Sequence, residues 1–308
     1  MAFAIVKVNT KPYQLPADAL WFSTGCSSGI GRAIAELVAS KPAHRLVATA
    51  RNSFSLSYLP DNDADGRILK LALDVTSPTS VKKAFRAAAE HFQAPTDGGG
   101  GGGGGGGRGR FHIDVLVNNA GYELAGDTES ATEEGMHLQM ETNFFGVVRV
   151  TLQAMQHHHD HHDHDHDHHR GGIIFNMSSL AGVAAFPGYS FYHASKFAVE
   201  GWSESFAREL DPAWNLHMCI VEPGGVKTEF ERRSKKYTAA GKGGVEAGAV
   251  ALAVYKVASG GGSGAEEKEQ VKCVPLWLPL TSTAVQLIRA KMQASLENLE
   301  AVSNVSAI

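Results

Sequence analysis

Tyr192 and Lys196 stand four residues apart in Y-H-A-S-K. On a helix that spacing sets a phenol and an ammonium on one face, about 6 Å apart along the axis. A free phenol, with a pKa near about 10, exchanges protons poorly at neutral pH. A neighbouring positive charge lowers it, so the pair could trade a proton with a substrate oxygen. Of the seven tyrosines, only Tyr192 has a lysine four residues on. Thirteen residues earlier, Ser179 closes an apolar run in N-M-S-S, where its hydroxyl could hydrogen-bond the same oxygen. Asn143, in M-E-T-N-F-F-G, lies in a helical pattern although asparagine is a mediocre helix former; it either bridges waters or is an incidental surface amide.

These side chains need a scaffold, and the apolar pattern supplies one. Strands are expected at 19–23, 45–50, 67–73, 113–117, 172–177 and 216–221. A helix should start near Gly29, and another at Pro78 with Ser77 as N-cap, its Val81, Phe85, Ala88 and Phe92 recurring at helical spacing. Further helices are expected at 131–156 and 189–210, and near the end, where Val285, Ile288, Met292, Leu296 and Leu299 form one stripe. Strand–helix–strand repetition predicts an α/β fold: one doubly wound parallel sheet with helices on both faces, as a single domain over 1–308. In such sheets the crevice beyond the carboxyl ends of the strands binds ligands, and Ser179 would face it.

The first strand runs into T-G-C-S-S-G-I-G, which holds Thr24, Gly25, Ser27, Ser28, Gly29, Ile30 and Gly31. Glycines there permit a tight turn and close approach of a pyrophosphate to main-chain N–H groups at a helix start. The spacing differs from the G-x-G-x-x-G of two-domain dehydrogenases. At the end of the second strand an NAD site places an acidic residue. This chain has Ala50 and then Arg51, which could hold a 2′-phosphate with help from Arg32, so NADP(H) is favoured over NAD(H). A positive nicotinamide ring would help lower the Tyr192 phenol. Cys26, inside the turn, is read as a small packing residue rather than a redox sensor.

Composition narrows the field. The formal net charge is -4, with no basic excess for nucleic acid. No apolar run reaches the roughly 18 residues of a membrane span, no signal-peptide core is evident, and three scattered cysteines make no disulfide framework. A cytoplasmic setting is the expectation. Two low-complexity segments, glycine 98–107 and the His/Asp tract 157–169, are expected to be mobile surface insertions, as is the milder stretch 259–268. The nine histidines of 157–169 could bind a metal opportunistically, but a flexible repeat lacks the fixed geometry of a specific site, so no metal site is assigned. The substrate side should lie in about 227–308, where Phe230 and Trp277, with Phe186 elsewhere, hint at a hydrophobic carbonyl or alcohol of steroid or retinoid kind. Trp202 and Phe206 are expected to pack in the core or between subunits.

In this order the motifs resemble the short-chain dehydrogenase/reductase family: the glycine turn, D-V-T at 74–76, N-N-A-G at 118–121, Asn143, Ser179, Tyr192 with Lys196, and P-G-G-V-K-T at 223–228. They span about 205 of 308 residues. The resemblance implies Tyr192 as acid/base, Ser179 as anchor of the substrate oxygen, and Lys196 lowering the tyrosine and holding the nicotinamide ribose. It implies Asn143 fixing a relay water, and Asp74 with Val75 beside the adenine. Asn118, Ala120 and Gly121 would line the adenosine side of the groove. Pro223 and Gly224 would form a turn from which Val226 and Thr228 secure the nicotinamide amide and phosphate. It also implies packing of subunits through the helix before the His/Asp tract, as in a homodimer. The competing readings are a catalytically silent dinucleotide-binding regulator and metal binding through the His/Asp tract.

Overall fold

In the computed structural model, which describes residues 8–60, 65–92, 111–159, 171–228, 245–260 and 273–306, all six expected strands form. They are β1 (Leu20–Ser23), β2 (Arg45–Ala50), β3 (Ile68–Ala72), β4 (Val115–Asn118), β5 (Gly172–Met177) and β6 (Leu216–Pro223). A short parallel ribbon of β7 (Val226–Lys227) and β8 (Val245–Glu246) follows, and β9 (Trp277–Leu280) adds an edge strand that the sequence did not suggest. The main sheet runs β3-β2-β1-β4-β5-β6-β9, with every pairing parallel. The order reverses direction between β1 and β4, which opens the crevice at their carboxyl ends.

Both faces of the sheet are covered, so the central strands are apolar throughout rather than alternating. Trp21 and Phe22, adjacent on β1, point to opposite layers. Trp21 packs with Ile34, Ala35 and Val38 of α1 (Gly29–Ala39). Phe22 stacks on Phe85 of α2 (Pro78–Phe92) with ring centroids 4.4 Å apart. Truncating a buried aromatic such as Phe22 to alanine costs about 3–5 kcal/mol. Ser77 starts α2 as expected, its Oγ accepting from Ser80 N at 3.2 Å.

The helix expected over 131–156 is interrupted. Thr132 caps α3 (Glu133–Met140), a π turn occupies Glu141–Phe145, and α4 (Gly146–His159) completes the run. Close contact helps explain the interruption, since a Cβ on Gly146 would lie 2.7 Å from Val75 Cγ2. α5 (Ser190–Glu209) matches the expectation and carries the Trp202–Phe206 stack at 5.1 Å. α6 (Ala247–Ala258) was not anticipated. α7 (Ser282–Ser306) forms as expected, but its stripe is not core: Val285, Met292 and Leu296 are exposed. The polyglycine run, the His/Asp tract beyond His159, the 259–268 stretch from 261 on, and Phe230 lie outside the described residues.

Candidate active site

The proton-transfer candidates meet at the carboxyl end of β5. Tyr192 and Lys196 face inward from the first turns of α5, each 7% exposed. Lys196 Nζ donates to Met177 O at 2.6 Å and sits 5.8 Å from the Tyr192 ring centroid. Ser179 opens the turn after β5; its Oγ accepts from Ala181 N at 3.1 Å and lies close enough to Tyr192 to draw the phenol down. Burial outweighs that pull. In the protein alone the phenol is pushed well above its ordinary range, and a carboxylate at Glu123 adds to the rise. A buried phenol loses hydration that one hydroxyl does not return; the expected lowering, by the ammonium together with a positive nicotinamide ring, belongs to the cofactor-bound site. Lys196 is itself lowered to about 8 by burial, with Glu200 opposing.

Asn143 is buried in the π turn, not a surface amide. Its Oδ1 accepts from Tyr122 N at 3.0 Å, and its Nδ2 donates to Tyr122 O at 2.9 Å and Ser195 Oγ at 3.1 Å. The side chain is thus a clamp on the segment after N-N-A-G. A side chain at Gly121 would meet Asn143 Oδ1 at 3.1 Å, so the two pack directly.

The glycine turn stands across the crevice. Gly25 (φ 70°) and Gly29 (φ 58°) occupy the left-handed region, where glycine alone is unstrained. A Cβ on Gly31 would come 2.3 Å from Asn119 Nδ2 and 2.4 Å from Gly25 O. Ser28, the N-cap of α1, makes no side-chain capping bond, which leaves the helix start available to an anion, with Ser27 and Ile30 in the same partly exposed turn. Thr228 arrives there from the far side, its Cγ2 3.3 Å from where a Cβ on Gly29 would stand. A nicotinamide dinucleotide fits this cradle: glycines hold the backbone open, the helix start is uncapped, and Arg51 at the end of β2 is exposed and forms no ion pair among the described residues. Arg32 is already engaged with Glu36 Oε1 at 2.8 Å and lies over the Tyr58 ring at 4.2 Å.

Several of the expected cofactor contacts are also tied into the scaffold. Thr24 Oγ1 is buried and accepts from Asn119 N and Ala120 N. Asn118 Nδ2 is bonded inside the core to Thr151 Oγ1 and Asn176 Oδ1, so it reaches the groove only through its main chain. Asp74 Oδ1 accepts from Thr76 N and Oγ1, and Val75 is buried against Gly146. Pro223 ends β6, and Gly224 N donates to Leu280 O at 3.0 Å, which ties the following turn with Val226 to β9. Cys26 is buried and its thiol is pushed up to about 11, consistent with packing. Sequence reasoning missed Asn119, whose Nδ2 donates to Thr24 O and Gly25 O and locks the turn; its place in N-N-A-G was the available signal. It also missed His193. Phe186 N donates to His193 Nε2, so Nδ1 carries the proton and donates to Ala181 O, fixing the loop after Ser179 onto α5.

Residues 21–238 match the family model described as short chain dehydrogenase. Oxidoreductase calM of Penicillium decumbens is 56% identical over 324 aligned positions, covering 98% of this chain and 96% of that protein. A 3-ketodihydrosphingosine reductase of Bacteroides thetaiotaomicron is 35% identical, covering 67% of this chain and 64% of its own. Bovine retinol dehydrogenase 8 is also 35% identical, covering 68% and 59% respectively. Among solved structures, a short-chain dehydrogenase from Streptomyces avermitilis superposes with a TM-score of 0.73 at 25% identity, over 94% of this chain and 97% of that one. With the parallel sheet, the glycine turn and the Ser179–Tyr192–Lys196 cluster in place, these likenesses assign the chain to the short-chain dehydrogenase family of oxidoreductases.

Proposed function

We propose that this protein is an NADP(H)-dependent carbonyl reductase or alcohol dehydrogenase of cytoplasmic setting, acting on an apolar carbonyl or a primary or secondary alcohol. The observation that carries the reading is the meeting of Ser179, Tyr192 and Lys196 at the same end of the sheet as the uncapped helix start of α1. The bound cofactor supplies or accepts the hydride. Ser179 holds the substrate oxygen, and Tyr192 gives it a proton in reduction or takes one in oxidation. Lys196 holds the ribose hydroxyls and, with the cofactor's positive ring nearby, offsets the burial that raises Tyr192. Asn143 keeps the Tyr122 segment in place; a relay water would have to bind its main-chain carbonyl, because both amide hydrogens are already engaged.

The remaining residues arrange the cofactor's other end. Gly25, Ser27, Ser28, Gly29, Ile30 and Gly31, with Thr228, receive the phosphates. Arg51 receives a 2′-phosphate, and Asp74, Val75, Asn118, Ala120 and Gly121 wall the adenosine side. Pro223, Gly224 and Val226 line the nicotinamide end. The retinol and 3-ketodihydrosphingosine named for two relatives support an apolar substrate, as do the partly exposed Phe186 and Trp277. Self-association is part of the reading: Leu138, Phe145, Leu152 and Phe197 stand exposed on α3, the π turn, α4 and α5.

Titration with NADPH and with NADH, followed by nicotinamide fluorescence beside an Arg51→Ala variant, tests this. NADPH should bind more tightly, and the variant should lose about tenfold of that preference, roughly 1.4 kcal/mol. Unchanged preference in the variant removes Arg51 from the site, and no binding of either nucleotide returns the silent-regulator reading.

A further inference from the structure

Lys196 does not lie alone beneath Tyr192. One helical turn further along α5, Glu200 turns its carboxylate inward; both oxygens are shielded from solvent and accept no hydrogen bond among the described residues. Ser178 Oγ, also shielded and unpartnered, and the Trp277 indole lie near enough to favour the charged carboxylate without reaching hydrogen-bond geometry. A Cβ on Gly182 would fall 2.5 Å from Ser178 Oγ and 2.9 Å from Glu200 Oε1, so glycine is what leaves room where those side chains meet. On the adjoining strand β6, Glu222 is 3% exposed. Packing does not account for this group. An apolar or amide side chain would fill the volume without an unpaired buried charge.

We propose that Glu200 is a positioning residue for the reaction, its carboxylate holding the Lys196 ammonium in the charged form from one turn behind it. The inference rests on the catalytic reading of Tyr192 and Lys196. The groups facing Glu200 are Lys196 and Glu204 from its own helix, Ser178 after β5, Glu222 of β6 and Trp277 of β9. Burial lifts Glu200 to about 7, and burial together with Glu200 lifts Glu222 to about 8. Lys196 is lowered to about 8.

The test uses Glu200→Gln and Glu222→Gln in the full chain, with two readouts. The first is the unfolding midpoint of cofactor-free protein against pH. Because the folded carboxyl of Glu200 lies above its unfolded value, its burden on the fold is full above about 7 and fades as pH falls toward 4.5. E200Q should thus match or exceed the parent in stability at pH 8, and the difference should vanish near pH 5. The second readout is the pH profile of kcat/KM for carbonyl reduction. Its alkaline limb should move down by about one pH unit in E200Q, as Lys196 loses its counter-charge, and stay in place in E222Q. Equal loss of stability at both pH values with an unmoved limb would overturn the proposal in favour of packing alone. If no variant or parent turns over, the catalytic reading fails while the stability profile still decides whether the charges are coupled.

Discussion

The two ends of the sheet use buried polar groups in opposite ways. At the amino ends of the strands they close on one another. Asn9, in the left-handed region at φ 54°, donates to Met218 O and Val274 O and accepts from Met218 N. Asp114 Oδ2 accepts from Leu20 N at 2.7 Å, and Tyr13 donates to Asp114 O. His217 Nε2 pairs with Asn215 Oδ1, and its ring lies 5.6 Å from that of Tyr13. At the carboxyl ends they gather around the crevice: a helix start with no side-chain cap, a buried phenol beside Ser179, and a lysine bonded to Met177 O one turn before the shielded Glu200 carboxylate, which accepts no hydrogen bond among the described residues. Paired polar groups contribute stability, whereas a buried carboxylate without a hydrogen bond, as at Glu200, costs it.

The sharpest test of that contrast is Tyr192→Phe. Turnover should fall by about 10²- to 10⁴-fold. The unfolding midpoint should change little, because removing the buried hydroxyl saves its desolvation and loses its contact with Ser179. A large loss of stability with retained activity would place Tyr192 with the structural end instead.

Next in size is the acid response of His217, which burial lowers from 6.5 to about 4. Below about 6.5 the unfolded chain takes up a proton that the folded ring refuses until about 4. Stability should therefore fall as pH drops through that window, by up to about 3 kcal/mol. Denaturant unfolding at pH 7 and pH 4 should show this fall, and His217→Asn should flatten it.

Asn9→Ala should cost about 2–3 kcal/mol for three hydrogen bonds and a left-handed backbone. Turnover per folded molecule should stay unchanged, as read by unfolding and initial rates on one preparation. The smallest effect on the fold is expected for Gly31→Ala, about 1–3 kcal/mol of overpacking against Asn119 and Gly25. It should weaken cofactor affinity far more than kcat. A variant that binds NADPH normally would show that the turn is tight for packing reasons alone.

Much of this was legible in the sequence, and the gaps have physical causes. The six expected strands announce themselves because strands covered on both faces are continuous apolar runs. β9 does not: it is no shorter than β1 or β4, but Pro279 within it reads as a loop and is tolerated only at an edge. α6, A-G-A-V-A-L-A-V-Y-K-V-A, is apolar nearly all round, so periodicity does not separate a buried helix from a strand. Residues that touch across the fold were the least visible. Tyr192 and Lys196 share a helix and betray their pairing by spacing. Glu200 and Glu222 meet only because β6 lies beside β5, and no local pattern marks that. Spacing sets a charge near the phenol but says nothing of the hydration that burial removes.

The π turn at Glu141–Phe145 has one more consequence. A π turn holds one residue beyond what an α-helix would need, so it is an insertion retained in the middle of a continuous helix. Deleting a single residue there would restore regular α geometry at little local cost. Because the widened turn absorbs the extra residue, the flanking helices would keep nearly the same phase, and what would be lost is the bulge that carries Asn143 and its bonds to Tyr122. The chain is therefore less tolerant of losing a residue at this point than of many substitutions, and its length here is as much a part of the site as its chemistry.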